Sequence, residues 1–368
     1  MKTRVLILLA ALFGAPAIAQ NLLPVKGYLH LEGKIDNDLL VTMDLVKDRD
    51  SLYSTLSIRS ENYSSRNYNI WYSDPKELCG NINASGTLWL KEVFSEYAPL
   101  INGQLTGNGM IKGTWNSDGG KRKLPLELVE KYPEGSVQFN VYSLKGSKAL
   151  TKKPNGQKGE ISLLLLLPEE SSNPVISDSL RLLMIEKFTG KRMNPESPER
   201  MLEQIRDSYF ESYFTSNEPL LKEFPDAPSL NWELLKYMHI MNNSRHRLTF
   251  SVLTYAFTGG AHGLETEEFH NLDLKTGKMT GLEDLLKPGY DAALTQLLTR
   301  KLHELYQIPE NQKLTDAGYF TDTVKPTSNF YLTENGIGFY YNHYDIAPYS
   351  FGPSDVFLTF DEVRGLMK

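Results

Sequence analysis

The chain has 368 residues, 40% of them hydrophobic and 23% charged, with a formal charge of −6. This is a globular composition with material for two or three domains. The acidic balance argues against a nucleic-acid partner, and the single cysteine, Cys79, rules out an internal disulfide framework.

At the N-terminus, "MKTR" is a basic region, "VLILLAALFGAPAI" an apolar one, and "AIA" before Gln20 has the form of a signal-peptidase site. A signal peptide over residues 1–19, cut after Ala19, is expected, and with it a periplasmic or secreted protein. Loss of Lys2 and Arg4 takes the formal charge from −6 to −8. The leader run is too short for a spanning helix, and no other apolar run is long enough, so the mature protein is expected to have no membrane span. Cys79 reads as a buried thiol.

Residues 23–144 read as β-structure. "GYLHLEGKI", "LLVTMDLV", "SLYSTLSI", "YNIWYS", "GTLWLKEVF", "GQLTGNGMIKGTW" and "KRKLPLELVEK" are short strands, separated by turns such as "DND", "KDRD" and "NSDGG". Such a meander closes as an antiparallel barrel or sandwich. Residues 145–158, basic and containing Gly and Pro, read as a linker or long hairpin loop. Residues 159–368 read as an α+β domain, an antiparallel sheet packed by helices, with subdomains at about 159–230 and 231–368. The fold class is therefore α+β.

Within that domain "GEISLLLLLPE" is a strand. "SDSLRLLMIEKFTGK" is a helix with Ser177 or Asp178 as N-cap and Gly190 as its stop. "SPERMLEQIRDSYFESYF" opens on Ser197 as N-cap with Pro198 at the first helical position. "NNSR" joins two strands as a hairpin, and the chain returns across "TGGAHG". "YDAALTQLLTRKLHELY" is a helix with Leu294, Leu297, Leu298, Leu302 and Leu305 on one face. Asn335-Gly336 marks a last hairpin. Thr359 and Glu362 form a capping box.

Catalytic motifs are sparse. There is no G-x-S-x-G elbow and no phosphate-binding loop. On one strand, His262 and His270 would lie roughly 26 Å apart and could not share an ion. His239 and His246 flank the "NNSR" turn, but no third ligand follows in sequence, so no metal site and no cofactor is expected. In "TGGAHG" the glycines suit a hairpin turn, while His262 offers a donor and an acceptor at a contact loop. "YDIAPYSFGPSD" adds Tyr344, Tyr349 and Phe351 as stacking area, or else buries those rings in a core-packed crossover.

Four segments follow one another in order: "YAFTGGAHG", "NLDLKTGK", "GLEDLLKPG" and "FYLTENGIGFYYNHYDIAPYSFGPSDVFLTFDEV". Together they resemble the C-terminal extracytoplasmic domain of RsiV-type anti-sigma factors, which also forms a non-catalytic region of some peptidoglycan deacetylases. With the weaker likeness of "EISLLLLLPE…FESYF", the resemblance spans about residues 150–368. It implies an exported, non-catalytic cell-envelope binding protein that recognises a lysozyme-like protein or peptidoglycan. Gly259, Gly260, His262, Tyr344, Tyr349 and Phe351 are the candidate binding residues. The chain departs from anti-sigma architecture in its cleavable leader and in lacking a sigma-binding segment. Two alternatives stand beside this reading. One is an envelope hydrolase pairing His262 with Asp345 or Glu265; the other is a structural assembly module.

Overall fold

The structure is a computed structural model that describes residues 26–60, 75–93, 99–117, 120–153, 156–169 and 176–368. The leader and "YNIWYS" lie outside the described residues.

Eight strands close an antiparallel barrel: β1 (Lys26–Ile35), β2 (Leu39–Asp48), β3 (Ser51–Ser60), β4 (Lys76–Ile82), β5 (Thr87–Glu92), β6 (Ile101–Leu105), β7 (Met110–Ser117) and β8 (Arg122–Glu130). Each pairs with the next, and β1 returns to β8 from Leu31↔Glu130 to Ile35↔Leu126. Closure removes the exposed sheet edges that invite aggregation. Alternation is clearest in β8, where Leu124, Leu126 and Leu128 point inward and their neighbours face solvent. They meet Leu31, Met43, Leu45, Leu52, Leu90 and Ile111 in one apolar core. Burying each such side chain contributes about 1.5–3 kcal/mol. Strand β4, "KELCGNI", has only Leu78 and Ile82 as inward apolar residues. Its pattern is too short and too polar to stand out as a strand, and it was not among those expected. Cys79 sits here half-buried, not in a core; it faces outward between Tyr53 and Lys91 on the adjacent strands.

The segment read as a linker or long hairpin loop is strand at residues 145–149 and at Lys158, with a hairpin loop between them. β9 (Phe139–Ala149) and β10 (Lys158–Pro168) pair antiparallel through their whole length, so only the hairpin tip between them is loop. The basic and small residues of β9 lie at the outer edge of a six-stranded sheet, where a polar strand is tolerated. The sheet continues with β11 (Trp232–Ser244), β12 (Arg247–Phe257), β13 (Leu264–Asp273) and the short β14 (Lys278–Met279). It is antiparallel except that β10 and β11 run parallel. A parallel pair needs a long crossover, supplied by α1 (Ser177–Thr189) and α2 (Pro198–Glu223).

Helix α1 has Ile176 at its N-cap with no side-chain cap, so Ser177 and Asp178, the expected caps, are already helical; it stops at a left-handed Gly190 as expected. Ser197 caps α2 by accepting from the Arg200 N–H, with Pro198 at the first position. Both helices pack on the sheet face carrying Met238, Ile240, Phe250 and Val252. Barrel strands β1, β2 and β3 pack against β9 and β11. Strand β10 is consequently buried along nearly all its length, which explains its unbroken run of leucines. The hairpin expected at "NNSR" turns two residues later, on Arg245 and His246, both at positive φ.

The C-terminal unit is a three-stranded antiparallel sheet of β15 (Phe330–Leu332), β16 (Gly336–Tyr341) and β17 (Ser354–Thr359). Before it come α3 (Leu282–Leu285) and α4 (Asp291–Leu305), and after it α5 (Phe360–Val363). Leu294, Leu298 and Leu302 of α4 are fully buried against this sheet, whereas Leu305 at the helix end is 42% exposed. The Thr359–Glu362 capping box is formed.

Candidate functional site

β12 and β13 are joined by the "TGGAHG" loop, where Gly259 and Gly260 adopt φ of 93° and 99°, a region that L side chains avoid. Gly263 is required for a different reason. A Cβ there would lie 2.5 Å from the Tyr255 ring, so only glycine lets the loop close over that tyrosine. His262 is exposed, and its Nδ1 is 2.9 Å from the Gly263 carbonyl oxygen.

The loop after β16 comes back onto this turn. Tyr349 stacks on His262 at 3.7 Å between ring centroids and 18° between planes, and donates its hydroxyl to the Gly263 carbonyl at 2.7 Å. On its other side His343 stacks at 4.3 Å and 19°. Tyr344, left-handed at φ 70°, lies 5.9 Å from Tyr349 and is 52% exposed. Three of the six candidate residues, His262, Tyr344 and Tyr349, are thus brought together, while Gly259 and Gly260 shape the loop that carries His262. Phe351 packs edge-on against Tyr319 at 5.3 Å and remains 41% exposed.

The hydrolase alternative required a carboxylate beside His262. Among the described residues none ion-pairs with it; Asp345 instead accepts from the Asn342 N–H at 2.8 Å, closing its own turn. Glu265 is half-buried, and burial is the main cause that raises its carboxyl above the ordinary value. His343 opposes that rise, and Glu77 adds to it.

A second constellation lies on the same sheet face. β11, β12 and β13 are in register so that His239 opposes Ser251 and Leu253 opposes Glu267. Side chains two residues apart share a face, so His239 and Glu267 come together on the side away from the helices. Glu77 of β4 reaches them from the barrel, and one ligand atom from each of the three lies within 4.8 Å of the others. The His239 Nδ1 is 4.0 Å from the Glu267 Oε1. Burial pushes Glu267 well up and Glu77 adds to this; the Ser251 hydroxyl opposes it, and Glu265 and Asp355 add smaller rises. Burial lowers His239, which Glu77 partly offsets. These effects favour a neutral imidazole, the form that ligates metals.

Three asparagines hold this strand. Asn342 accepts from the Glu267 N–H at 2.7 Å and donates to the Glu267 carbonyl at 3.1 Å. Asn329 accepts from the Phe269 N–H at 2.9 Å and donates to the carbonyls of Glu267 and Tyr340. Asn271 accepts from the Leu332 N–H and donates to the Phe330 carbonyl. Side-chain amides therefore do the work of a neighbouring strand, joining β13 to the C-terminal sheet with its backbone groups satisfied.

Residues 283–361 match the model of a family described as a protein of unknown function, DUF3298. The DUF3298 segment contains Tyr344, Tyr349 and Phe351 and falls within residues 150–368. His262, Glu267, His239 and Glu77 lie outside it. The chain is similar to a DUF3298 family member from Bacteroides fragilis solved by crystallography, at 26% identity and a TM-score of 0.58, covering 64% of this chain and 95% of that one. A DUF3298 protein from Pseudomonas aeruginosa is 20% identical, with 62% and 94% covered and a TM-score of 0.41. No curated protein matches the chain.

Nothing in the local sequence predicted the Glu77–His239–Glu267 grouping, since each residue comes from a different strand. One signal was legible: Glu265 and Glu267 share strand parity with the apolar Phe269. Carboxylates on a face that buries an aromatic ring are out of place unless something uses them.

Proposed function

We propose that this is an exported cell-envelope binding protein whose recognition surface is the aromatic face formed by the "TGGAHG" and "YDIAPYSF" loops. The observation that carries this reading is Tyr349 stacked between His262 and His343, with Tyr344 open beside it. Tyr349, covered on both faces, fixes the two histidines in place, and Tyr344, 52% exposed beside it, offers the open ring face, so the surface is pre-organised for binding. Such a surface takes a sugar ring or an apolar side chain. The anti-sigma resemblance supports a lysozyme-like protein or a peptidoglycan strand as ligand. The formal charge of −6 favours the cationic protein of these two.

Isothermal titration of the protein with an animal-type lysozyme, and separately with soluble peptidoglycan fragments, tests this. Micromolar or tighter binding to one of them is expected, and Tyr349→Ala, which releases both histidines from the surface, should weaken it at least about tenfold. Binding to neither at micromolar concentrations removes this ligand class.

A further inference from the structure

We infer that Glu77, His239 and Glu267 together bind one divalent transition-metal ion of the Zn2+ type, and that this ion ties the barrel to the six-stranded sheet. The donors come from β4, β11 and β13, with their ligand atoms within 4.8 Å of one another. An ion bound at about 2.0–2.2 Å to each donor spaces tetrahedral ligands about 3.4 Å apart. Small side-chain rotations therefore close the site without moving the strands.

Two of its atoms lack other employment. Glu267 is only 3% exposed, yet its Oε1 has no hydrogen-bond partner, and the buried Nε2 of His239 has none either. Buried polar atoms are nearly always paired. Here an orphan carboxylate oxygen and an orphan imidazole nitrogen sit on β13 and β11, either side of β12, with a second carboxylate, Glu77, facing them. Among the described residues no lysine or arginine ion-pairs with Glu77 or Glu267; the charge contact of Glu267 is with His239, at 4.0 Å, and Lys76 next to Glu77 is engaged by Glu92.

The donor chemistry narrows the ion. Calcium takes six to eight oxygen ligands and magnesium keeps most of its water, whereas a mixed imidazole and carboxylate set suits zinc and its neighbours. A cavity of about 30 Å³ lined by Glu77, His239, Thr55 and Asp44 adjoins the group. It has room for one water to complete the coordination but is too small for an organic substrate. The role is therefore structural: the ion links elements far apart in sequence and stabilises the folded state by mass action.

The test uses the full chain, stripped with chelator and titrated with Zn2+ by calorimetry and with Co2+ by visible absorption. One equivalent should bind, with a rise in melting temperature that EDTA reverses. Glu77→Gln, at a half-buried barrel position, and His239→Ala should each weaken Zn2+ binding by at least about tenfold. Tyr349→Ala should leave it unchanged, which separates this site from the aromatic face. Absence of saturable uptake by the wild-type chain overturns the inference. So does uptake that persists unchanged in both ligand variants, because the ion would then be bound elsewhere.

Discussion

Asp44→Ala is expected to destabilise the protein by about 3–5 kcal/mol, the cost of stripping one partner from a buried ion pair. Asp44 is 4% exposed, and His30 beside it is fully buried. The Asp44 Oδ1 is 2.7 Å from the His30 Nδ1 and accepts from the Tyr28 hydroxyl at 2.5 Å. Asn243 extends the chain across the domain boundary, donating at 2.7 Å to the Tyr28 oxygen and to the Val137 carbonyl. Removing the carboxylate leaves an imidazole and a phenol in the protein interior without their acceptor. Asp44→Asn should cost less, because the amide oxygen can still accept from Tyr28.

The same network makes stability depend on pH. Burial alone lowers the His30 imidazole, but Asp44, helped by Glu32 and Glu334, outweighs it and raises the folded value above the ordinary one. A raised histidine binds its proton more tightly when folded. Its contribution is therefore complete below the unfolded value of about 6.5 and is lost as pH rises through the folded value. Urea denaturation at successive pH values from slightly acid to slightly alkaline should show wild-type stability falling across that window. The Asp44→Ala protein should show a flatter profile. An equal slope in both proteins would mean that another group governs this range.

The second large effect is expected at Asn329. Asn329→Asp removes two donated hydrogen bonds, to the carbonyls of Glu267 and Tyr340, and adds a negative charge beside an already acidic cluster. Each buried group left unsatisfied costs about 1–3 kcal/mol, so a loss of about 2–5 kcal/mol is expected. Asn329→Ala should be similarly damaging, but by a different route, since it also frees the Phe269 N–H. Hydrogen exchange distinguishes them: the Phe269 amide should lose protection in the alanine variant and keep it in the aspartate variant. A change below about 1 kcal/mol in both would show that water replaces the amide without cost.

These asparagines also mark the limit of a sequence reading. "SNF", "NHY" and "HNL" look like ordinary turn or strand-end residues, because asparagine is common there. Their bidentate pairing with another strand's backbone depends on how two sheets dock. "TGGAHG", by contrast, was recognisable as a turn from its glycines. Its meeting with Tyr349 needed the loop after β16 to fold back by a path that no local pattern encodes.

The amino-acid sequence by itself determined the antiparallel meander, with barrel or sandwich left open, the helix caps at Ser197 and Thr359, the stop at Gly190 and the α+β class. All of these depend on residues a few positions apart, where alternation, capping and turn chemistry act directly. Tertiary structure alone decided that residues 145–149 extend a sheet strand and not a linker, and that β10 runs parallel to β11. It also decided that Glu77 of the barrel faces His239 and Glu267. The physical reason is range. Strand parity says which face a side chain takes, but register and the docking of one sheet on another decide what that face meets.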